Sequence, residues 1–199
     1  MLNIYLLRHG ETAMNADGNR YCGRTDVALT EKGIEQANIV KKQLQNIEFD
    51  AVYSSPLIRA AHTAEIACNG KTVIRDERLI EVDFGKWEGK TRAEFITENP
   101  GIWDQWCKDP TNVKAGEKGE TAMEVVQRVH SFFEQLLVNY PNGNIMVVGH
   151  NGINRLFLAW KLSMELKNYR RILQENSSIT LFSLDEDNEI QLKLLNCRC

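Results

Sequence analysis

Leu6-Leu7-Arg8-His9-Gly10-Glu11-Thr12 is the stretch that most strongly indicates how this chain folds. Residues 1–7 are short, apolar and followed by a glycine, which is typical of a buried strand rather than of a helix. The next two side chains then lie at the carboxyl end of that strand, where open α/β sheets bind ligands, and the glycine would let the backbone approach such a ligand. Taken alone, the motif is equally compatible with a polar strand end followed by a capped turn.

The composition is that of an ordinary globular domain. The chain has 199 residues, of which 43% are hydrophobic and 26% charged, and no stretch rich in Pro, Gly or Ser divides it. We therefore expect one domain over residues 1–199. No apolar run approaches the roughly 18 residues of a membrane span, and the start lacks signal-peptide features, so we expect a cytoplasmic protein without a membrane partner.

The charge and the cysteines exclude further classes of partner. A net charge of −3 argues against nucleic acid as a partner, because its phosphates are held by clustered Lys and Arg. The five cysteines show no spacing of a disulfide framework or a zinc site, and the terminal Cys197-Arg198-Cys199 is only a weak candidate for a soft metal. We expect neither a metal nor a cofactor. The cysteines are Cys22, Cys68, Cys107, Cys197 and Cys199.

Strand and helix patterns alternate along the chain. Apolar runs at 50–54, 71–75 and 144–149 predict further strands, and a final pair at 177–184 and 189–195 predicts a hairpin. Thr30 and Ser55-Pro56 look like helix starts, and 12–26 and 76–89 look like loops. Capping boxes at Thr91 and Thr121 mark two more helix starts. The expected fold class is therefore α/β: a three-layer sandwich with a mostly parallel sheet, helices on both faces and an antiparallel edge.

Cationic side chains follow three of the predicted strands. Arg8 and His9 end the first strand, Arg59 lies one helical turn beyond Pro56, and His150 ends the strand at 144–149. If these strands are neighbours, the four side chains converge and need an anion between them. Because guanidinium groups match phosphate oxygens bidentately, the natural guest is a phosphate ester.

At this point the sequence resembles the histidine phosphatase superfamily, also called phosphoglycerate mutase-like, over nearly its whole length. Each matching segment is weak alone, but their order is highly specific. Within the superfamily, the Gly-Arg-Thr-Asp and Phe-Gly-Lys-Trp-Glu-Gly segments look most like α-ribazole phosphatases and related broad phosphatases. The matching segments are residues 8–12 with Asn15, 21–26 with 29–30 and Gly33, 54–60, 79–81 with 84–85 and 87–89, 119–121, and 149–150.

The resemblance implies a role for each matched residue. His9 would be the nucleophile that takes the phosphoryl group, and Glu81 the general acid and later the base. Arg8, Arg59 and His150 would hold the phosphoryl oxygens, so that no metal is required. The positions that would approach the phosphate are Asn15, Cys22, Gly23 and Asn151.

Three functions are compatible with this resemblance. The favoured one is a phosphomonoesterase acting on a small-molecule phosphate ester, with α-ribazole 5′-phosphate as the preferred substrate. A phosphoglycerate mutase would share the catalytic residues, but the resemblance implies that mutases carry a longer insertion than the compact helical one expected here over the site, at about 90–120. A non-catalytic phosphate-binding protein is least favoured, since no catalytic residue is missing. Trp103 and Trp106 are expected in the core, with stacking on a substrate ring as the alternative. The oligomeric state has no signal in the sequence.

Overall fold

Six strands form one mixed sheet in the computed structural model, which describes residues 1–198 and leaves Cys199 outside the described residues. The strand order is β3-β2-β4-β1-β5-β6. The first four strands in this order run parallel to one another, β5 pairs antiparallel with β1, and β6 pairs antiparallel with β5 at the edge. The strands are β1 (Leu2–Arg8), β2 (Ala51–Ser54), β3 (Val73–Arg75), β4 (Gly143–Gly149), β5 (Ile179–Leu184) and β6 (Ile190–Cys197).

Seven α-helices accompany the sheet within residues 1–198. Capping boxes at Thr91 and Thr121 start α4 and α6, as the sequence predicts, and Thr30 caps α2. The helices are α1 (Ala13–Ala16), α2 (Glu31–Leu44), α3 (Ile58–Ala67), α4 (Arg92–Glu98), α5 (Pro100–Lys108), α6 (Ala122–Asn139) and α7 (Asn151–Lys161). None of them, in the part of the chain that the structure describes, has both the length and the apolar character to cross a bilayer.

Alternation along β4 divides the core between the two faces of the sheet. Ile145 and Val147 pack with α6 and α7, whereas Met146 and Val148 pack with α2 and α3. Successive side chains of a strand point to opposite faces, so a strand that is apolar throughout must be covered on both sides. The predicted three-layer α/β architecture is confirmed.

The start of α3 differs from the prediction. The helix begins at Ile58 rather than at Pro56, and its N-cap Leu57 provides no side-chain acceptor. Asp26, 32 residues earlier, supplies the cap instead, since its carboxylate accepts from the backbone N–H of Ile58 at 2.8 Å. Ser55 has only a minor role, accepting from the N–H of Leu57.

The two predicted loops contain short helical turns. Thr12 and Asn15 form a capping box that starts α1, inside the segment predicted as a loop. The second loop contains 3-10 turns at Glu77–Leu79 and Gly85–Trp87. Both stretches are too short for helical periodicity to show in the sequence.

The strand register brings three chain segments to one edge of the sheet. Arg8 at the end of β1 lies opposite Gly149 of β4, and Ser54 at the end of β2 lies opposite Val148. The backbone N–H of His9 continues the ladder by donating to the carbonyl of Gly149. The residues that follow β1, β2 and β4 therefore leave the sheet side by side at the same edge.

Candidate active site

A cavity of about 340 Å³ opens at this edge of the sheet. Its size falls at the lower end of the roughly 300–1,000 Å³ typical of small-ligand sites. Six of the residues singled out in the sequence line it: Arg8, His9, Asn15, Cys22, Glu81 and Asn151.

His9 is held in one tautomer by its own loop. Its Nδ1–H donates to the carbonyl oxygen of Gly10 at 2.7 Å. Because a carbonyl only accepts, a neutral ring carries its proton on Nδ1 and its lone pair on Nε2. The loop itself is fixed by Thr63, whose hydroxyl accepts from the N–H of Gly10. Glycine is required here by packing, because a Cβ on Gly10 would lie 2.4 Å from the carbonyl oxygen of Gly33 at the start of α2.

His150 lies directly beside His9, with ring centroids 5.1 Å apart. It is the N-cap of α7, is completely buried, and neither ring nitrogen has a hydrogen-bond partner within residues 1–198. Burial and then the charge of Arg59 lower the pKa of both imidazoles well below the usual 6.5. Both rings are therefore neutral at physiological pH.

Arg8 is anchored but keeps unused donors. Its Nη1–H donates to the carbonyl of Gln174 at 2.9 Å, while its buried Nε has no partner in the described chain. Burial lowers the pKa of Arg8 to about 10, which leaves the guanidinium charged at neutral pH. A fixed positive charge thus faces the cavity beside His9.

Arg59 acts on the loop at residues 22–25. Its guanidinium donates to the carbonyls of Thr25 and Gly23 at 2.9 Å and of Cys22 at 3.1 Å, and only its Nε remains unpartnered. Glu88 holds the same loop from the other side by accepting from the N–H groups of Gly23 and Thr25. The loop is therefore clamped by two opposite charges.

Glu81 is fixed at the N-terminus of α7. Its Oε1 accepts from the N–H groups of Val82 and Ile153, and its Oε2 accepts from that of Gly152 at 3.0 Å. The first turn of a helix has unsatisfied N–H groups and a positive dipole, so it suits a carboxylate. Gly152 permits this approach, because a Cβ there would lie 2.6 Å from Glu81 Oε1.

A profile of the histidine phosphatase superfamily (branch 1) matches residues 4–198. The chain belongs to this superfamily. The resemblance seen in the sequence motifs is thereby confirmed.

Relatives of this chain cover it end to end. Phosphoserine phosphatase 1 of Hydrogenobacter thermophilus is 32% identical over 201 residues, which span 100% of this chain and 94% of that protein. The adenosylcobalamin/alpha-ribazole phosphatase of Salmonella typhimurium is 32% identical over 199 residues, spanning 99% and 97%. A solved structure of phosphoserine phosphatase from Entamoeba histolytica with 3-phosphoglyceric acid superposes with a TM-score of 0.90 at 30% identity, covering 100% of this chain and 98% of that one.

The remaining predicted residues of the histidine phosphatase site lie outside the cavity lining. His150 and Arg59 are buried next to it, and the N–H of Gly23 is already bonded to Glu88. Trp106 is buried and Trp103 partly buried in an aromatic cluster with Trp87 and Phe95, and neither lines the cavity. From the segment at about 90–120, Arg92 alone lines the cavity among the residues that the structure describes.

Sequence reasoning missed the outer half of the cavity. Tyr21 and Phe84 lie in matched segments, and Arg155 follows Asn151 by four residues and so shares its helix face, so these three carried a usable signal. Tyr169 and Arg170 come from a 3-10 helix, Leu166–Arg171, that carries no sequence motif. The lining residues not predicted as site residues are Thr12, Asn19, Arg20, Tyr21, Phe84, Arg92, Gly152, Arg155, Tyr169 and Arg170.

Proposed function

We propose that this chain is a phosphomonoesterase that hydrolyses a small phosphate ester through a phosphohistidine on His9. The observation that carries the proposal is the hydrogen bond from His9 Nδ1–H to the carbonyl of Gly10, which leaves the lone pair of the neutral ring on Nε2. A neutral, oriented imidazole is what nucleophilic attack requires. The relatives supporting this activity include phosphatases named for phosphoserine and for α-ribazole phosphate.

In the first step, Nε2 of His9 attacks phosphorus. The new P–N bond forms as the P–O bond to the alcohol breaks, and the electron pair leaves with the oxygen. Negative charge then spreads over the three remaining oxygens, which Arg8, Arg59 and His150 are suited to hold. Their free nitrogens support this: Arg8 Nε, Arg59 Nε and both ring nitrogens of His150 are buried without a protein partner in the described chain. The oxygens of a bound phosphoryl group would accept from the two arginine Nε–H groups and from the one N–H of the neutral His150 ring, with Asn15, Cys22, Gly23 and Asn151 around them.

Glu81 is proposed to give a proton to the leaving oxygen. Its Oε2 accepts a single hydrogen bond, from Gly152, and so has a lone-pair position left for the transferred proton. In the second step the ionised carboxylate takes a proton from water, whose oxygen attacks phosphorus and releases His9. Such proton transfer contributes typically about 10²–10⁴ in rate.

The arginines supply the charge stabilisation that a metal ion gives in other phosphatases, so we propose a metal-independent reaction. The test is to treat the protein with a chelator and assay it before and after adding back Mg²⁺, Mn²⁺ or Zn²⁺. Metal independence predicts equal rates throughout.

Hydrolysis is preferred over mutase chemistry. A mutase must keep water away from the phosphohistidine, whereas the segment at about 90–120 offers only Arg92 to the cavity. The test supplies 3-phosphoglycerate together with its bisphosphate primer. Fast interconversion of phosphoglycerates with little release of free phosphate would show that the protein is a mutase and not a phosphatase. Among phosphatase substrates, the sequence pattern favours α-ribazole 5′-phosphate, to be compared with phosphoserine in a phosphate-release screen.

The central experiment traps the intermediate. The protein is mixed with ³²P-labelled ester and quenched in base, where phosphohistidine survives and an acyl phosphate does not. We expect base-stable, acid-labile label on wild-type protein and none on His9→Ala, which also loses hydrolysis of p-nitrophenyl phosphate. His62→Ala, outside the cavity, is the matched control. Unchanged hydrolysis by His9→Ala would exclude the mechanism.

A further inference from the structure

The cavity contains more positive charge than one phosphoryl group needs. Five arginines line it, and Glu81 is the single carboxylate among the described lining residues. Arg20 is neutralised by ion pairs to Asp17 at 2.6 Å and Glu94 at 2.7 Å, and Arg8 adjoins His9. The other three arginines are Arg92, Arg155 and Arg170, and none of them forms an ion pair with a carboxylate of residues 1–198. In a chain of net charge −3, this is a local concentration of positive charge.

Aromatic faces, rather than carboxylates, hold Arg155 and Arg170. The guanidinium carbon of Arg155 lies 5.2 Å from the ring centre of Tyr169. That of Arg170 lies 4.5 Å from the Trp103 ring centre and 4.9 Å from that of Tyr169. Stacking fixes the plane of a guanidinium and leaves its N–H edge open.

Most donors of these two side chains are unused by the protein. Arg155 donates through Nε to the carbonyl of Tyr169 at 3.4 Å, and Arg170 through Nη2 to the sulfur of Cys107 at 3.2 Å. Each guanidinium has five N–H groups, so several remain on each edge. Burial is the main cause that lowers the pKa of Arg155, and the neighbouring charge of Arg170 lowers it further.

We propose that Arg155 and Arg170 form a second anion-binding subsite, and that the substrate is the phosphate ester of a small acid whose carboxylate binds there. This rests on the proposed phosphatase activity and names its substrate class, in place of the α-ribazole 5′-phosphate that the sequence pattern favours, because that ester has no carboxylate. A carboxylate fits because it is planar and matches the guanidinium fork bidentately. Arg92 is exposed and has no aromatic support, so it is not assigned to the subsite.

The test uses two esters that differ only in the carboxylate. 3-Phosphoglycerate and glycerol 3-phosphate have the same phosphate and carbon skeleton, but one ends in a carboxylate and the other in a hydroxymethyl group. We expect kcat/KM of the wild type to favour 3-phosphoglycerate at least tenfold. Arg155→Gln and Arg170→Gln should each reduce this ratio at least fivefold, mainly through KM for the acid. Arg171→Gln, an exposed neighbour outside the cavity lining, should leave the ratio unchanged.

Several outcomes would overturn the subsite. A wild-type ratio near one, with His9-dependent hydrolysis of both esters, would remove it while leaving the phosphatase activity intact. If Arg92→Gln were the only variant to lose the preference for 3-phosphoglycerate, the carboxylate would bind at Arg92 and not at Arg155 and Arg170. A larger preference for fructose 1,6-bisphosphate over fructose 6-phosphate would assign the site to a second phosphate instead. If no ester is hydrolysed, p-nitrophenyl phosphate included, the proposed function itself fails. The wild-type ratio needs no variant, so a poorly folding Arg170→Gln does not prevent the test.

Discussion

The imidazole rings of His9 and His150 stand edge to face, with centroids 5.1 Å apart and planes inclined by 61°. Both are buried, and the one hydrogen bond that either ring makes within residues 1–198 is that of His9 to Gly10. No carboxylate therefore compensates a proton on either ring. Two histidines in this setting remain neutral where ordinary histidines begin to charge.

This arrangement predicts acid sensitivity of the fold. The pKa of each ring is lowered in the native state, chiefly by burial, whereas in the unfolded chain it is about 6.5. Below that pH the unfolded state binds more protons, so the free energy of unfolding decreases as the pH falls, by up to about 1.4 kcal/mol per pH unit for each histidine. We expect His150→Gln to make this slope shallower between pH 6.5 and 5, as measured by urea unfolding. Equal slopes for the two proteins would contradict the prediction.

Arg59 should affect both catalysis and the loop at residues 22–25. Arg59→Lys keeps the charge but loses the planar fork that binds three carbonyls, so we expect kcat/KM to fall about 100-fold. The freed loop should also expose Cys22, a half-buried thiol whose pKa is raised by burial. The reaction of Cys22 with Ellman's reagent should become faster, and the signal of Cys22 is identified as the part that a Cys22→Ser substitution removes. Arg75→Lys, exposed on β3, is the matched control; an unchanged thiol rate would show that the clamp is not needed.

Gly152 should be intolerant of even one methyl group. A Cβ there would lie 2.6 Å from Glu81 Oε1 and 2.8 Å from Val82 Cγ2, so Gly152→Ala must displace the carboxylate. We expect at least a tenfold loss of kcat on an alkyl phosphate. Gly101→Ala is the control, since its Cβ would meet only Asn99 Oδ1 at an ordinary 3.6 Å. Full activity of Gly152→Ala would show that Glu81 need not stay at the start of α7.

The sequence predicts well those elements that are determined by residues close together in the chain. β1 and β4 are mostly apolar, and the capping boxes at Thr91 and Thr121 involve residues three apart, so neighbours in the chain contain the whole signal. The predicted start of α3 was wrong because the cap comes from Asp26, which lies near this helix only in the folded protein.

The residues of the candidate site likewise divide into those that local sequence predicts and those that it does not. Histidines and arginines at strand ends could be predicted from the alternation of strands and helices, whereas Glu81 lies in an aperiodic loop and was reached through family motifs. Arg155 and Arg170 were missed because their meaning depends on the rings of Tyr169 and Trp103 beneath them. A stacked, unpaired arginine cannot be distinguished in sequence from an exposed one.

Glu81→Gln should separate esters by the quality of their leaving group. An alkoxide needs a proton as it departs, whereas p-nitrophenolate leaves without one, so we expect a loss of about 10²–10⁴ on glycerol 3-phosphate and less than about tenfold on p-nitrophenyl phosphate. The new amide oxygen can still accept from Val82 and Ile153, but the amide nitrogen would face the N–H of Gly152. Thermal unfolding of the variant therefore accompanies the kinetics. Equal losses on both esters in a stably folded variant would remove Glu81 from the role of general acid and leave it only a structural cap of α7.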